Sequence, residues 1–112
     1  MRVEETHQIG QHDAINRVDR FLEELLRWQP PGGVEIKDAR KAWDGNRMTF
    51  SFSAAKGFFG AAIRGVMEVT ADRVTLDADL PALVRGLLGE ERIREVVSRE
   101  LRKVLDNHAP GA

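Results

Sequence analysis

Three histidines, His7, His12 and His108, are the residues of this chain whose side chains most readily bind metals or transfer protons. Together, His7, His12 and Asp13 would offer two imidazoles and a carboxylate, the ligand set of many mononuclear metal sites. His7 and His12 are five residues apart, however, and this spacing fits neither one face of a strand nor one turn of a helix. We therefore expect surface or rim positions for them and no metal site.

Serine and carboxylate side chains lack the surroundings that catalysis requires. A serine nucleophile stands on a sharp turn beside a base, whereas Ser51 and Ser53 fall in a predicted strand and Ser98 in a predicted helix. None lies in a G-x-S-x-G motif. These features predict that the chain has no catalytic residue and is not an enzyme. Carboxylate pairs next to Arg or Lys are expected on solvated faces, and they are Glu23-Glu24, Asp77 with Asp79, and Glu90-Glu91.

The segment KGFFGAAIRG contains three glycines, but it does not resemble a phosphate-binding loop. Gly57, Gly60 and Gly65 do not follow the G-x-G-x-x-G order, and no strand-to-helix junction is expected around them. The sequence therefore predicts no bound cofactor.

The same segment carries two adjacent aromatic residues, Phe58 and Phe59, next to Lys56. Neighbouring side chains of a strand point to opposite sides, so only one ring enters a core easily. We expect one ring to stand out at a loop tip, which makes Phe58, Phe59 and Lys56 the candidate contact for a partner or an apolar surface. The alternative is a bulge that lets both rings pack at the sheet edge.

Amphipathic helices are predicted at both ends of the chain. From Gln11 to Trp28 apolar residues recur at steps of three and four, and the following Pro30-Pro31-Gly32-Gly33 ends the helix. A second helix begins at Leu80-Pro81, is bent or interrupted at Gly89, and reaches Asn107. Its apolar stripe covers the sheet or, alternatively, forms a dimer seam. The residues expected on this stripe are Leu83, Val84, Leu87, Leu88, Ile93, Val96, Val97, Leu101, Val104 and Leu105.

The remaining segments are predicted to form strands. Val3 to Ile9 forms a short first strand, and Met48, Phe50 and Phe52 alternate with small polar residues after the turn signal Asp44-Gly45. A loop with an even number of residues at that turn places Trp43 on the same face as these three side chains, and burial of the indole favours this parity.

A second hairpin can be predicted in register. With Ala71-Asp72 as a two-residue loop, apolar residues oppose apolar ones on one face and Arg64 opposes Asp79 on the other. The chain is therefore predicted to be α+β, with an antiparallel sheet of about four strands in the order β-α-β-β-β-α. The N-terminal helix and the long C-terminal helix pack on one face of this sheet.

Composition limits the class of protein. The 112 residues are expected to form one domain, residues 1–112, and the net charge of -1 gives no field that would attract nucleic acid. Cysteine is absent, which fits a reducing compartment, and no apolar run reaches the roughly 18 residues that span a bilayer. We expect a soluble, cytoplasmic protein.

The order of these residues resembles a known family, the polyhydroxyalkanoic acid system proteins, also described as the polyhydroxyalkanoate granule region family. The resemblance runs from Val3 to Leu105, with His7 at a position where the family commonly has histidine and Asn46 where Asp is frequent. The positions that carry it are Trp43, Gly45, Asn46, Met48, Phe50, Gly57, Ile63, Gly65, Val69, Val74, Leu76 and Leu80-Pro81.

This resemblance implies a non-enzymatic accessory protein of polyhydroxyalkanoate storage in bacterial cytoplasm, with no catalytic residue to transfer. Its partners would be the granule, granule-associated proteins or a second copy of the chain. The alternative function is a carrier that holds a lipid or hydroxyacyl ligand between the last helix and the Phe50–Phe52 strand, as helix-grip domains do.

Overall fold

The computed structural model describes residues 1–27 and 33–106, and within them all side chains except those of Leu25, Phe59, Leu83, Leu87 and Leu88. Strands and helices follow one another along the chain as β1 (Arg2–Thr6), α1 (Gln11–Arg27), β2 (Glu35–Asp44), β3 (Arg47–Lys56), β4 (Phe59–Val69), β5 (Arg73–Asp79), α2 (Ala82–Leu88) and α3 (Glu90–Asp106).

The strands form one antiparallel sheet in the order β1-β5-β4-β3-β2, and α1 and α3 cover one of its faces. The predicted α+β class and the placement of helices at both ends are confirmed. The sheet has five strands, however, where about four were expected. The difference arises at β2, in which Asp38 adopts a φ of 55° and a bulge lies between Lys37 and Arg40. A bulge shifts the alternation of side chains, so β2 lacks the period of two that indicates a strand.

The predicted even length of the first hairpin loop and the predicted register of the second hairpin are both confirmed. Gly45-Asn46 is the two-residue loop between β2 and β3, and Trp43 opposes Met48 on the helix-covered face. The β4–β5 hairpin turns at Ala71-Asp72, with Val69 opposite Val74 and Arg64 opposite Asp79.

The core lies between the sheet and the two long helices. Its side chains form one continuous cluster, so the apolar stripes of α1 and α3 are used within the chain. The buried members are Val3, Ala14, Val18, Leu22, Met48, Phe50, Met67, Val69, Val74, Leu76, Ala78, Leu101 and Leu105.

The C-terminal helix is interrupted at Gly89, as predicted, with a φ of 79° and its N–H donating to the carbonyl of Arg85. Val96 was expected on the inward stripe of α3 but is 41% exposed. Val97, Leu101 and Leu105 are spaced by four residues and take the inward positions, which turns Val96 about 100° away from the core. The predicted inward positions of Leu83, Leu87 and Leu88 fall outside the described side chains.

Strand β1 is shorter than predicted, because it ends at Thr6 rather than Ile9. The chain then turns through Gly10, which has a φ of 85°, into the first residue of α1. The described end of α1 is Arg27, and the predicted stop at Pro30-Pro31 lies outside the described residues. None of the helices in the described ranges is long and apolar enough to cross a membrane.

Candidate contact site at the β3–β4 hairpin tip

The outer part of the β3–β4 hairpin, residues 52–63, extends past the end of β5. Strand β5 pairs with β4 only as far as Arg64 opposite Asp79, while β3 and β4 continue to pair up to Lys56 opposite Phe59. At about 3.4 Å per residue, the segment from Ser51 to Lys56 reaches roughly 17 Å beyond that point. We call residues 52–63 the outer hairpin.

The tip of the outer hairpin is the two-residue loop Gly57-Phe58. Gly57 adopts a φ of 61°, a left-handed conformation that glycine accepts without steric cost. The neighbouring Phe58 is 105% exposed, so its ring has no cover within the described chain. Burial of a phenylalanine side chain contributes about 1.5–3 kcal/mol, and this position forgoes all of it.

The other two predicted contact residues belong to the same tip. Lys56 is the last residue of β3 and is exposed, and Phe59 is the first residue of β4 and its cross-strand partner. The side chain of Phe59 lies outside the described side chains, so the prediction that only one ring stands out is tested for Phe58 alone.

Small residues make up the stem behind the tip. They leave the chain without charge between Lys56 and Arg64. Strand β2 pairs with the β3 side of the outer hairpin and places Glu35 opposite Ala55 and Lys37 opposite Ser53. Nζ of Lys37 and Oε2 of Glu35 are 3.1 Å apart. An exposed ring at the end of a hairpin of small residues is suited to contact with an apolar surface. The residues of this stem are Ala54, Ala55, Gly60, Ala61 and Ala62.

His7 is buried, with 5% exposure, so the prediction of a surface or rim position was wrong for it. Its Nε2–H donates to the carbonyl of Thr70 over 3.1 Å, and Nδ1 accepts from the N–H of Ile9 over 3.4 Å. These bonds replace water and use both ring nitrogens, which makes the imidazole a link between the end of β1 and the β4–β5 turn. His12 is exposed, as expected, and its Nε2 lies 3.4 Å from the Asn16 side-chain amide.

Ser98 is likewise engaged in a structural contact. Its hydroxyl donates to Glu5 Oε2 over 2.5 Å, and Arg102 Nε donates to Glu5 Oε1 over 3.1 Å, which joins β1 to α3. Burial raises the pKa of Glu5, but the hydrogen bonds from Arg102 and Ser98 outweigh it and hold the pKa below its ordinary value. Within the described residues no group of three or more His, Asp or Glu side chains could hold a metal ion.

Sequence reasoning missed a polar link between α1 and β2. Asp19 Oδ1 accepts from Lys41 Nζ over 2.6 Å and from Trp43 Nε1 over 2.9 Å, and Lys41 also donates to Glu23 over 2.8 Å. The charged side of an amphipathic helix ordinarily faces water. The only available signal was the indole N–H of Trp43, which needs an acceptor when the ring is half-buried.

Asn46 ties the β2–β3 turn to the end of β4. Its side-chain amide donates to the carbonyl of Val69 over 2.8 Å, and its own carbonyl accepts from the N–H of Val69 over 2.9 Å. Gln11 donates to the same Val69 carbonyl over 3.0 Å. An aspartate at position 46 would have no proton to donate, so the asparagine has a structural role here.

The space that a carrier would need is filled by the core cluster. Met48 and Leu101 have no exposed surface, and Phe50 is nearly as deeply buried. Two surface depressions, of about 420 and 180 Å³, lie on the opposite face of the sheet, around Val66 and Asp77. These observations do not support the carrier hypothesis.

Comparison with known proteins agrees with the residue pattern. No curated protein and no solved structure matches the chain. One protein family, described as "Putative polyhydroxyalkanoic acid system protein", matches residues 1–107. Since this match covers nearly the whole chain, including the buried core and the outer hairpin, the chain belongs to the polyhydroxyalkanoic acid system family.

Proposed function

We propose that this chain is a non-enzymatic accessory protein of polyhydroxyalkanoate storage that contacts the storage granule through the tip of the outer hairpin. Family membership links the chain to the storage system. The proposed contact residues are Phe58, its neighbour Phe59, and Lys56. A role on granules would place the protein in the cytoplasm of a polymer-storing bacterium.

The full exposure of the Phe58 ring is the observation that carries this proposal. Among the described side chains the other large apolar residue that is exposed is Val96, which is 41% exposed and lies on the outer side of α3. Contact of the Phe58 ring with an apolar polymer surface would recover the transfer free energy that the ring forgoes in water. The glycine and alanine stem would let the tip approach such a surface closely.

A non-enzymatic role is supported by the use of the residues that could perform chemistry. The ring nitrogens of His7 bind backbone groups, and the Ser98 hydroxyl binds a carboxylate that Arg102 also contacts. These contacts hold β1 against the β4–β5 turn and against α3. These residues therefore have structural roles in the fold.

Co-sedimentation with isolated polyhydroxyalkanoate granules tests the proposal. We expect the protein to pellet with granules and the Phe58→Ser variant to pellet several-fold less. Val96→Ser is the matched control, because it removes an exposed apolar side chain on α3 without changing the hairpin tip. Equal pelleting of the Phe58→Ser variant and the unaltered protein would contradict granule contact through this tip.

Two further measurements define the surface that is bound. Lys56→Ala should reduce binding in low salt, and added salt should remove the difference, if the granule surface carries anionic groups. Binding that does not change with salt would indicate contact with the polyester itself. Phe59→Ser shows whether the second ring of the tip takes part.

A further inference from the structure

One edge of the outer hairpin has no strand beside it. Strand β4 is paired with β3 along its whole length, but β5 pairs with it only from Arg64 onward. Within the described part of the chain, the edge of β4 from Phe59 to Ile63 on the side away from β3 is therefore open.

The open edge presents the backbone groups of Gly60 and Ala62. The N–H of Thr70 donates to the carbonyl of Arg73, so the even-numbered residues of β4 direct their backbone groups toward β5. Backbone groups alternate between the two neighbours of a strand, so Gly60 and Ala62 direct theirs to the same side, where β5 has already ended. Both residues are exposed. Each offers one N–H donor and one C=O acceptor.

This segment of β4 differs from the two edge strands of the sheet, β1 and β2. Strand β1 is five residues long and carries the charged residues Arg2, Glu4 and Glu5. Strand β2 carries a bulge at Asp38 and charged residues along its length, features that discourage pairing with another strand. Between Phe59 and Ile63 the edge has only glycine and alanine, with no bulge and no charge. A flat edge of small residues allows a second backbone to approach closely.

We infer that two copies of this chain pair antiparallel along this edge, on a two-fold axis at Ala61. In this register Gly60 of each copy opposes Ala62 of the other, and the four free donors and acceptors of each copy all find partners. A register shifted by two residues toward Arg64 would bring Arg64 into the pairing between the copies. Arg64 already pairs with Asp79 of its own chain. A polyester chain, in contrast, offers acceptors only and would leave the two carbonyls unpaired.

Pairing also affects the tip. The strands run antiparallel, so the Phe58 tip of each copy lies beside the other copy, at the point where β5 ends with Asp79. If the tip contacts granules as proposed above, the partner copy beside the tip hinders that contact, so pairing and granule contact compete. The paired form would then be the form of the free protein.

Disulfide cross-linking tests the pairing, because the chain has no cysteine of its own. At the axis the two Ala61 residues form a non-hydrogen-bonded pair, with Cα atoms about 4.5 Å apart, within the range of a disulfide. Ala61→Cys should give a covalent dimer under mild oxidation. The neighbouring Ala62→Cys is the matched control and should cross-link at least about tenfold more slowly, since its symmetry mate lies farther away. Equal rates for the two variants would overturn the pairing.

A second pair of variants tests the backbone bonds. Ala62→Pro removes an N–H that faces the open edge and leaves the bonds to β3 in place, whereas Ala62→Val keeps the N–H. In sedimentation velocity at rising concentration, the unaltered protein and Ala62→Val should shift toward the dimer, and Ala62→Pro should remain monomeric with a similar melting temperature. Dimer formation by Ala62→Pro, or none by the unaltered protein, would overturn the inference.

The competition between pairing and granule contact depends on the proposed function, and a separate measurement tests it. Oxidised Ala61→Cys dimer should pellet with granules several-fold less than the same protein after reduction. If the oxidised dimer pellets equally well, the competition is wrong. If neither form pellets, granule contact fails while the cross-linking result stands.

Discussion

The ring of Phe50 lies over Gly65, its partner across the β3–β4 pair. A Cβ atom built on Gly65 would come within 2.4 Å of Cζ of Phe50 and 2.8 Å of the Asp77 carbonyl oxygen. The absence of a side chain at position 65 therefore lets the phenylalanine fold onto the sheet. Phe50 in turn stacks on Phe52, with ring centroids 6.4 Å apart, so this glycine supports the packing at the base of the outer hairpin.

We expect Gly65→Ala to destabilise the protein by about 1–3 kcal/mol, because the added methyl group must displace either the ring or the backbone of β5. Urea unfolding followed by circular dichroism measures the change. Gly60→Ala is the matched control: it lies in the same strand, and its added Cβ would meet its nearest neighbours at 3.9 Å, an ordinary contact distance. Equal stability of the two variants would show that the ring does not depend on Gly65.

The link between α1 and β2 predicts a pH dependence of stability. Burial raises the pKa of Asp19, but the hydrogen bonds from Lys41 and Trp43 outweigh it, so the pKa of this carboxyl lies below its ordinary value of 3.8. A group whose pKa is lower in the folded state stabilises the fold above its unfolded pKa, and this contribution is lost as pH falls through the folded pKa. The free energy of unfolding should therefore decrease as pH falls below about 4.

The Asp19→Asn variant should show a shallower decrease over that range. Glu5, whose pKa is also lowered, accounts for part of the remainder. Urea unfolding between pH 2 and 7 compares the two slopes. An unchanged slope in Asp19→Asn would mean that its carboxylate is not coupled to folding.

The amide of Asn46 predicts a substitution whose effect depends on pH. Asn46→Asp replaces the donor to the Val69 carbonyl with a carboxylate, which faces that oxygen without a proton. We expect a loss of about 1–3 kcal/mol at neutral pH, since Gln11 is then the remaining side-chain donor to that carbonyl. In acid the new carboxyl group is protonated and can donate again, so the difference from the unaltered protein should shrink. A pH-independent difference would contradict this explanation.

The two hairpins show what local pattern can predict. Register in the β4–β5 hairpin follows from the apolar residues on one face and the Arg64–Asp79 pair on the other, because a shift of one residue would expose the first set and separate the second. Strand β2 could not be predicted in this way. Its bulge at Asp38 reverses the alternation partway along the strand, and bulges arise from pairing with a neighbour rather than from the residues themselves.

Some features of the candidate site could also be predicted from local sequence, and others could not. Adjacent phenylalanines after a glycine predicted a projecting tip, and Phe58 lies at one. The burial of His7 could not be read from its neighbours, because the Thr70 carbonyl that accepts its proton lies 63 residues away along the chain. The acceptor of the Trp43 indole, Asp19, lies on the charged side of a helix, a side that ordinarily faces water.

The sequence alone determined the two long helices, the buried face of β3 and the register of the β4–β5 hairpin, because each depends on residue periods and turn types that act over a few neighbours. The residue pattern also indicated the family. Only the tertiary structure decided which polar groups are paired and which edge is open. Polar pairs join residues that are far apart along the chain, and the open edge depends on where strands of unequal length end. Strand β5 ends at Asp79 while β4 extends to Phe59, so the backbone of Gly60 and Ala62 has no neighbouring strand on that side in the described part of the chain.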